Sequence, residues 1–599
     1  MRRNYTGAEA TIKTLEELGV TYIFGLSGGA ILPFTDAVHR LATAGESEIN
    51  LVYTRHEQGA IHMAEGYTSA SGKPGVVLVT SGPGAGNIIS GLLDAKLDRR
   101  PVLAITGQVP TYMINKEGFQ EAPVMAISRP LVKWNHQPKD SNKLPRAVVK
   151  ALRIATSGRP GPVLLDVPKN IGEGDFTGSL ELAIERPGKL AKINPYKAVI
   201  RARDAIREYR ANKATGAIVK AWRTAERPVI LAGHGVLISG GTEELLKLAE
   251  QEDTPVTTTL LGKGAFPETH RLSLGMLGMH GTAYANKAIL GADFVLNLGS
   301  RFDDRIVGDP KKFCKGAFIA HVDIDRTQFG KMIKPNKKVA TDGRIFIKTI
   351  LGELALNGKE KRSDRSKWNE KIEEFKVQYP LSYETSQGLT AQEVIDAVYK
   401  VSGGDAIVTA DVGQHQMWAA QFYKTNRPNH WITSGGAGTM GFGLPAAIGA
   451  QFAKPHEQVI AFVGDGGFQM TSYELTTARK HNLPIKVIIL DNQYLGMVRQ
   501  WQEVFYDDRE SAVNLEDNPD FVMLAESHGA VAIRVEDRED LQAALEKAFS
   551  VNDRPVVVHA CVNKTDNVYP FIPSGRPYTD MLLGPPPPNE KLPTPTGST

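Results

Sequence analysis

Cysteine is nearly missing from this chain of 599 residues. The two that occur, Cys314 and Cys561, are too few for a disulfide framework or a cysteine metal cluster, as a reducing compartment would have it. Long hydrophobic runs are missing as well. No stretch approaches the ~18 uninterrupted apolar residues of a membrane-crossing helix. The opening MRRNYTGAEATIKTLEELG carries two arginines but no apolar core of a secretory signal, and it reads as a helix entering a domain. A strong excess of one charge is missing too: 70 Lys and Arg against 66 Asp and Glu leave a net charge of +4, with no long basic run. Neither a nucleic-acid partner nor a membrane is therefore expected, and a cytoplasmic location is.

Apolar residues are plentiful, at 42% hydrophobic, and a chain this long suits three domains at roughly 100–200 residues each. Residues 1–185 alternate strand-like runs (Tyr22-Ile23-Phe24, Val76–Val79, Val102–Ile105, Val163–Val167) with helical patterns, and glycine turns follow several of the runs. Residues 190–355 repeat the alternation around Val229–Ala232, Phe294–Leu298 and Phe318–Asp325, and residues 370–580 do so a third time. This predicts an α/β fold of three doubly wound parallel-sheet domains. The stretch 172–227 reads as a linker and a charged helix, and 353–390 as a polar connector. The Pro-rich tail 581–599 is too apolar-poor to pack a core. The glycine-turn segments SGPGAGNIISGLLDA and GDGGFQMTSYELTTA make the first and third domains look like copies of one unit.

Residues 464–492 carry the sharpest chemistry. Gly464-Asp465-Gly466 ends one apolar run, Asp491-Asn492 ends the next, and a helix is expected from about Ser472 to His481 between them. In a parallel sheet adjacent strands end at one crevice, so Asp465 and Asn492 can meet there. A carboxylate and an amide oxygen suit Mg²⁺ with substrate phosphates among its ligands, and open backbone N–H groups suit the phosphates. Gly-Asp-Gly alone is also ordinary turn chemistry. Glu57, after the run Ile49–Tyr53, is a candidate acid or base near a helix start, with a helix-capping role as the alternative.

These motifs occur in order with Ser81-Gly82-Pro83-Gly84, Phe119-Gln120-Glu121 and Phe302-Asp303-Asp304-Arg305. Together with the longer runs VVLVTSGPGAGN, SRFDDRIVGD, ADVGQHQMWAAQF, SGGAGTMGFGLPAAIGA and GMVRQWQEVFY, they make the chain resemble, from about residue 5 to 578, the catalytic subunit of acetohydroxyacid (acetolactate) synthase, a thiamine diphosphate enzyme. The resemblance implies that residues 1–185 bind the pyrimidine, 190–355 bind FAD and 370–580 bind diphosphate and Mg²⁺. It implies that pyruvate is decarboxylated and its two-carbon unit passed to pyruvate or 2-ketobutyrate, on the route to valine, leucine and isoleucine. Glu57 would activate the pyrimidine, with Gly29, Gln120 and Lys169 lining the site from a partner subunit. Asp465, Asn492 and the Tyr494 carbonyl would hold the metal. Gln414, His415, Gly438, Gly464, Gly466, Gly467 and Met497 would surround the cofactor, and Met440 would wedge it into its bent form. Arg305, Trp501, Phe119 and Met470 would shape the acceptor pocket.

For FAD the resemblance points to Arg159, Gly233, Gly235, Met279, His280, Gly281, Gly299, Arg301, Asp303, Asp323 and Ile324, although no GxGxxG fingerprint occurs. From residue types alone, Arg305 reads equally as a surface ion pair with Asp304, Lys169 as a solvated lysine, and Trp501, Met279, Met470, Met497 and Phe119 as packing residues. A homodimer or dimer of dimers is implied, with a small regulatory subunit as a further partner. The chain departs from the family at Leu26-Ser27, Gly86, 115–118 and Asp491, where the family has Asn, and in a longer, more basic stretch at 195–225.

Overall fold

The computed structural model describes residues 5–180, 195–356, 362–385 and 388–586. Each domain is built on one six-stranded, wholly parallel sheet flanked by helices. The first sheet runs, edge to edge, through strands Asn50–Tyr53, Tyr22–Leu26, Gly75–Val79, Val102–Gln108, Val163–Pro168 and Trp134–His136. The last runs through Trp431–Thr433, Ile407–Ala410, Val459–Gly464, Lys486–Asp491, Val556–Cys561 and Val531–Val535. Numbered along the chain within each domain, both sheets have the order 2-1-3-4-6-5. The two domains are thus topological copies, as their glycine segments suggest. The central strands are Val-, Ile- and Leu-rich and buried on both faces, as parallel strands between helical layers must be.

The middle sheet runs Ser273–Met276, Val256–Thr258, Pro228–Ala232, Phe294–Leu298, Phe318–Asp323 and Lys337–Ala340. Its order, 3-2-1-4-5-6, is that of dinucleotide-binding folds, whose ligand lies where the order reverses. Here that point falls between Pro228–Ala232 and Phe294–Leu298, which pair from Phe294 opposite Pro228 to Leu298 opposite Ala232.

Two elements differ from the expectation. The polar connector 353–390 contains the helix Ser366–Gln378, whose Trp368 and Ile372 are buried against the middle domain; the Trp368 indole N–H donates to the Pro228 carbonyl at 3.2 Å. Two apolar residues spaced for one helical face outweighed the polar composition around them. The charged stretch ends in a 30-residue helix, Pro195–Thr224, seated in the middle domain through Ile218, Val219 and Trp222. The expected tail lies mostly outside the described residues. Among the described residues no helix is long and apolar enough to cross a membrane.

The first and last domains share one hydrophobic core, which includes Phe24, Ala64, Phe442 and Ala446. Helix Glu57–Ser71 crosses helix Gly443–Ala453 at backbone contact. A Cβ on Gly66 would lie 2.0 Å from the Ala446 carbonyl oxygen, and one on Gly449 would lie 1.9 Å from that of Met63. Gly449→Ala must therefore push the helices apart. It should cost at least ~1–3 kcal/mol in urea unfolding, as overpacking does, and unchanged stability would contradict this contact.

Candidate functional site

The C-terminal ends of strands Val459–Gly464 and Lys486–Asp491 lie side by side, with Gly464 opposite Leu490, so Asp465 and Asn492 leave the sheet as neighbours. Gly464 is followed by helix, not by a turn: Asp465 is the first residue of Asp465–Thr471. The helix expected over 472–481 is a 3-10 turn, Ser472–Glu474, and a short helix, Leu475–Lys480. The glycines that suggested a turn serve close approach instead. A Cβ on Gly464 would lie 2.8 Å from the His415 ring, one on Gly467 2.8 Å from the Asp411 carboxylate, and one on Gly496 2.0 Å from Gln414 Oε1.

Asp465 is buried, and its Oδ2 accepts from Asn518 Nδ2 at 2.9 Å. Burial, and next the charge of Asp491, push its carboxyl up to about 7. Both effects disfavour its charged form, and a cation at the strand ends would offset them. Asp491, the departure from the family's Asn, accepts a hydrogen bond from His559 Nε2 at 2.8 Å. Despite burial, that bond keeps His559 protonated up to about 9. The extra negative charge thus comes with its own counter-charge. Gln414 Oε1 accepts from Asn492 Nδ2 at 3.2 Å, and Gln414 Nε2 donates to Gln500 Oε1 at 3.0 Å, which turns the Asn492 amide. Buried His415 leaves Nε2 without a partner among the described residues, and burial lowers its pKa to about 3, so it is a neutral imidazole with a hydrogen-bonding atom to spare. Asp411 fastens the loop that leads into helix Gly443–Ala453 by accepting the N–H groups of Gly441 (3.0 Å) and Gly443 (2.9 Å), and this holds the chain just after Met440.

In the middle domain the loops after the two switch-point strands touch through glycine. A Cβ on Gly233 would lie 2.4 Å from the Gly299 carbonyl oxygen, and one on Gly235 2.7 Å from Gly299 Cα, where φ is +64°. Arg159 crosses from the first domain to an ion pair with Asp325, and Arg301 pairs with Asp303 at 3.1 Å. Burial pushes Asp323 up to about 6.

One continuous cleft of about 1070 Å³ joins these two places. Arg159, Gly235, Met279, His280, Gly299, Arg301, Asp303, Arg305, Asp323 and Ile324 line its middle-domain side. Gln414, His415, Gly438, Met440, Gly464, Asp465, Gly466, Gly467, Asn492, Tyr494, Met497 and Trp501 line the other. It exceeds the volume of one drug-sized ligand site. Gly233 and Gly281 lie just behind this lining, as backbone supports. Arg305 meets both readings of it: it lines the cleft and also pairs with Asp304 at 3.7 Å. Trp501 likewise packs on Phe505 (ring centroids 5.4 Å apart) while facing the cleft.

The remaining residues singled out from the sequence do not line that cleft. Glu57 opens helix Glu57–Ser71 and is buried, but it is not the cap, because His56 Nδ1 accepts the Gln58 N–H. Its carboxylate instead accepts from Asn87 Nδ2 at 2.9 Å and faces Gly84. Gly29 is exposed in a turn, Gln120 sits at φ +61° against Gly82, and Lys169 pairs weakly with Glu173 at 3.9 Å. Phe119 is 89% exposed and Met470 46%. Sequence reasoning missed Asn87, Asn518, Gln500, Glu474 and His559. Asn87 closes the matched run VVLVTSGPGAGN and could have been found there. Glu474 Oε1 accepts the N–H groups of Arg55 (2.9 Å) and His56 (3.1 Å), a contact between distant segments that carries no local signal.

Three family models match in order: the thiamine pyrophosphate enzyme N-terminal TPP binding domain over residues 5–127, the central domain over 215–350 and the C-terminal TPP binding domain over 411–560. The chain is 41% identical over 584 residues to the acetolactate synthase large subunit of Lactococcus lactis, covering 97% of this chain and 96% of that protein. It is 39% identical over 587 residues to that of Haemophilus influenzae, covering 98% and 99%. It is 40% identical over 585 residues to the isozyme 3 large subunit of Escherichia coli K12, covering 96% and 98%.

Removing the charge at the shared strand ends should be felt by a cation. Asp465→Asn should weaken Mg²⁺-dependent uptake of thiamine diphosphate at least ~10-fold in calorimetry; wild-type binding would contradict the placement of the metal.

Proposed function

The chain belongs to the acetolactate synthase large-subunit family of thiamine pyrophosphate enzymes, and from that premise we propose that it condenses pyruvate with a second 2-ketoacid, pyruvate or 2-ketobutyrate, to give 2-acetolactate or 2-aceto-2-hydroxybutyrate. These are products that branched-chain amino acid synthesis consumes. Bound thiamine diphosphate supplies the electron sink for the decarboxylation. The chain's own residues supply position, charge and shelter from water.

Asp465, Asn492 and the Tyr494 carbonyl are the natural ligands of a Mg²⁺ ion that carries the diphosphate. Gln414, hydrogen-bonded to Gln500, and the spare Nε2 of His415 would hold the same phosphates. Gly464, Gly466 and Gly467 would let the backbone approach them, and Met440, next to the Asp411-fastened loop, would support the cofactor. The Arg305 guanidinium, half free in solvent, suits the carboxylate of the second ketoacid, and a planar fork does this better than a lysine. Trp501 and Met497 set the apolar end of that pocket. The middle cleft suits FAD: the strand order and the glycine contact at its switch point support this more strongly than any sequence fingerprint did.

The observation that carries the reading is the separation of Glu57 from the cleft that holds Asp465. A buried carboxylate held by Asn87 at a helix start suits hydrogen bonding to a pyrimidine nitrogen. In a symmetric dimer each chain would offer Glu57 to its neighbour's cleft. Phe119, almost fully exposed, and half-exposed Met470 are apolar side chains that such a contact would cover. Gly29, Gln120 and Lys169 lie on the same side as Glu57 and would enter the neighbour's site with it.

Incubation with pyruvate, Mg²⁺ and thiamine diphosphate should yield acetolactate without oxygen uptake, with flavin bound; oxygen consumption would instead mark an oxidase. Glu57→Gln should lower turnover by ~10²–10⁴-fold, the scale of a lost acid–base group, with circular dichroism unchanged. Turnover near wild type would remove Glu57 from the mechanism. With pyruvate and 2-ketobutyrate in competition, Trp501→Leu should shift the product ratio toward 2-acetolactate; an unchanged ratio would mean that Trp501 only packs.

A further inference from the structure

A second polar centre lies where the three domains meet, behind the wall of the cleft formed by Leu97, Arg99, His234 and Gly435. His62 and Glu65 sit on helix Glu57–Ser71, Asp94 and Asp98 on helix Ile89–Asp98, and Arg100 follows it. All five are buried. His62 Nδ1 lies 3.0 Å from Glu65 Oε1, and Arg100 donates to Glu65 Oε2 at 2.8 Å and to the Thr433 carbonyl at 2.6 Å. Asp98 Oδ2 accepts the Gly435 N–H at 3.0 Å and lies 3.4 Å from Arg100. Both oxygens of Asp94, and Nε2 of His62, have no hydrogen-bond partner among the described residues.

This leaves a charge to account for. Three carboxylates face one guanidinium in a place closed to water. A bare buried carboxylate is costly and takes up a proton unless a counter-charge replaces it: burial raises Glu65 to about 8 and Asp94 well above the usual carboxylate range. Asp411, the next nearest acid, is already occupied by the backbone N–H groups of Val412, Gly441 and Gly443. His234, on the middle-domain side, is buried, and burial lowers its pKa to about 4, so it brings no charge. Burial likewise lowers the His62 imidazole to about 4, which leaves it neutral and able to donate a lone pair. One divalent cation would displace the protons of Glu65 and Asp94 and balance the three carboxylates together with Arg100.

The geometry suits one. Donor atoms of His62, Glu65 and Asp94 all lie within 4.8 Å of one another. A 3.0 Å separation of nitrogen and oxygen is what two donors about 2.0–2.2 Å from a common ion show. Arg100 on the far oxygen of Glu65 would fix the orientation of that carboxylate, as outer partners of metal ligands do. We propose that His62, Glu65 and Asp94 form a structural site for a divalent cation, zinc by its mixed imidazole–carboxylate donor set. The ion would pin helix Glu57–Ser71 to helix Ile89–Asp98. Through Asp98 and Arg100 it would also steady the segment Thr433–Gly435, which leads to Met440.

The site stands apart from the proposed cofactor-binding residues, so its test does not depend on them. The holoenzyme, saturated with Mg²⁺ and thiamine diphosphate, would be dialysed with and without zinc and its metal content read by plasma mass spectrometry. About one tightly held zinc per chain is expected, lost in Asp94→Asn and in His62→Gln, with a higher melting temperature in zinc for the wild type alone. Wild-type protein that holds no zinc after exposure would overturn the proposal. So would zinc retained equally in both variants, or an Asp94→Asn protein more stable than zinc-treated wild type, because that gain would mean the carboxyl is simply protonated.

Discussion

The backbone crossing of helices Glu57–Ser71 and Gly443–Ala453 governs the rest of the structure. Both helices carry functional groups at their N-terminal ends. Glu57 begins the first, and Met440 and the loop fastened by Asp411 lead into the second. With Gly66 and Gly449 at the crossing, the helices meet at atomic contact and cannot slide. Glu57 and the loop that carries Met440 are therefore held at a set spacing within one chain. Glu474 adds a second clasp: it belongs to the segment after the Asp465 helix yet accepts the N–H groups just before Glu57.

From that constraint the division of labour follows. Each parallel sheet brings its functional loops to one edge. The first and last domains, copies in topology, present different groups beyond their strands: the first a buried carboxylate, Glu57, the last the neighbouring Asp465 and Asn492. The middle domain, with its different strand order, opens its own crevice onto the same cleft. The large volume of that cleft comes from joining the crevices of the middle and last domains.

Much of this was legible in the sequence, and the reasons are physical. Strand positions were readable because parallel strands buried on both faces are continuous apolar runs. The convergence of Asp465 and Asn492 was readable because register and strand adjacency follow from the strand–helix–strand pattern. The switch-point character of the middle domain was not, because it rests on strand order and on Gly233, Gly235 and Gly299 meeting across the sheet rather than on one local glycine motif. The helix Ser366–Gln378 was hidden by its polar surface, since two buried residues suffice to seat it. Asn518, Glu474 and the His559 partner of Asp491 were hidden because long-range hydrogen bonds leave no periodicity. The exchange of Asn for Asp at 491 looked like a departure. In the fold it is half of an ion pair.

The claim beneath the account is that a working site needs Glu57 from one chain and Asp465 from another. Mixing two inactive proteins, Glu57→Gln and Asp465→Asn, after reversible dissociation tests it most directly. In a two-fold dimer half of the mixed pairs hold one intact site, so about a quarter of wild-type acetolactate formation should return. A mixture as inactive as its two components would contradict the account.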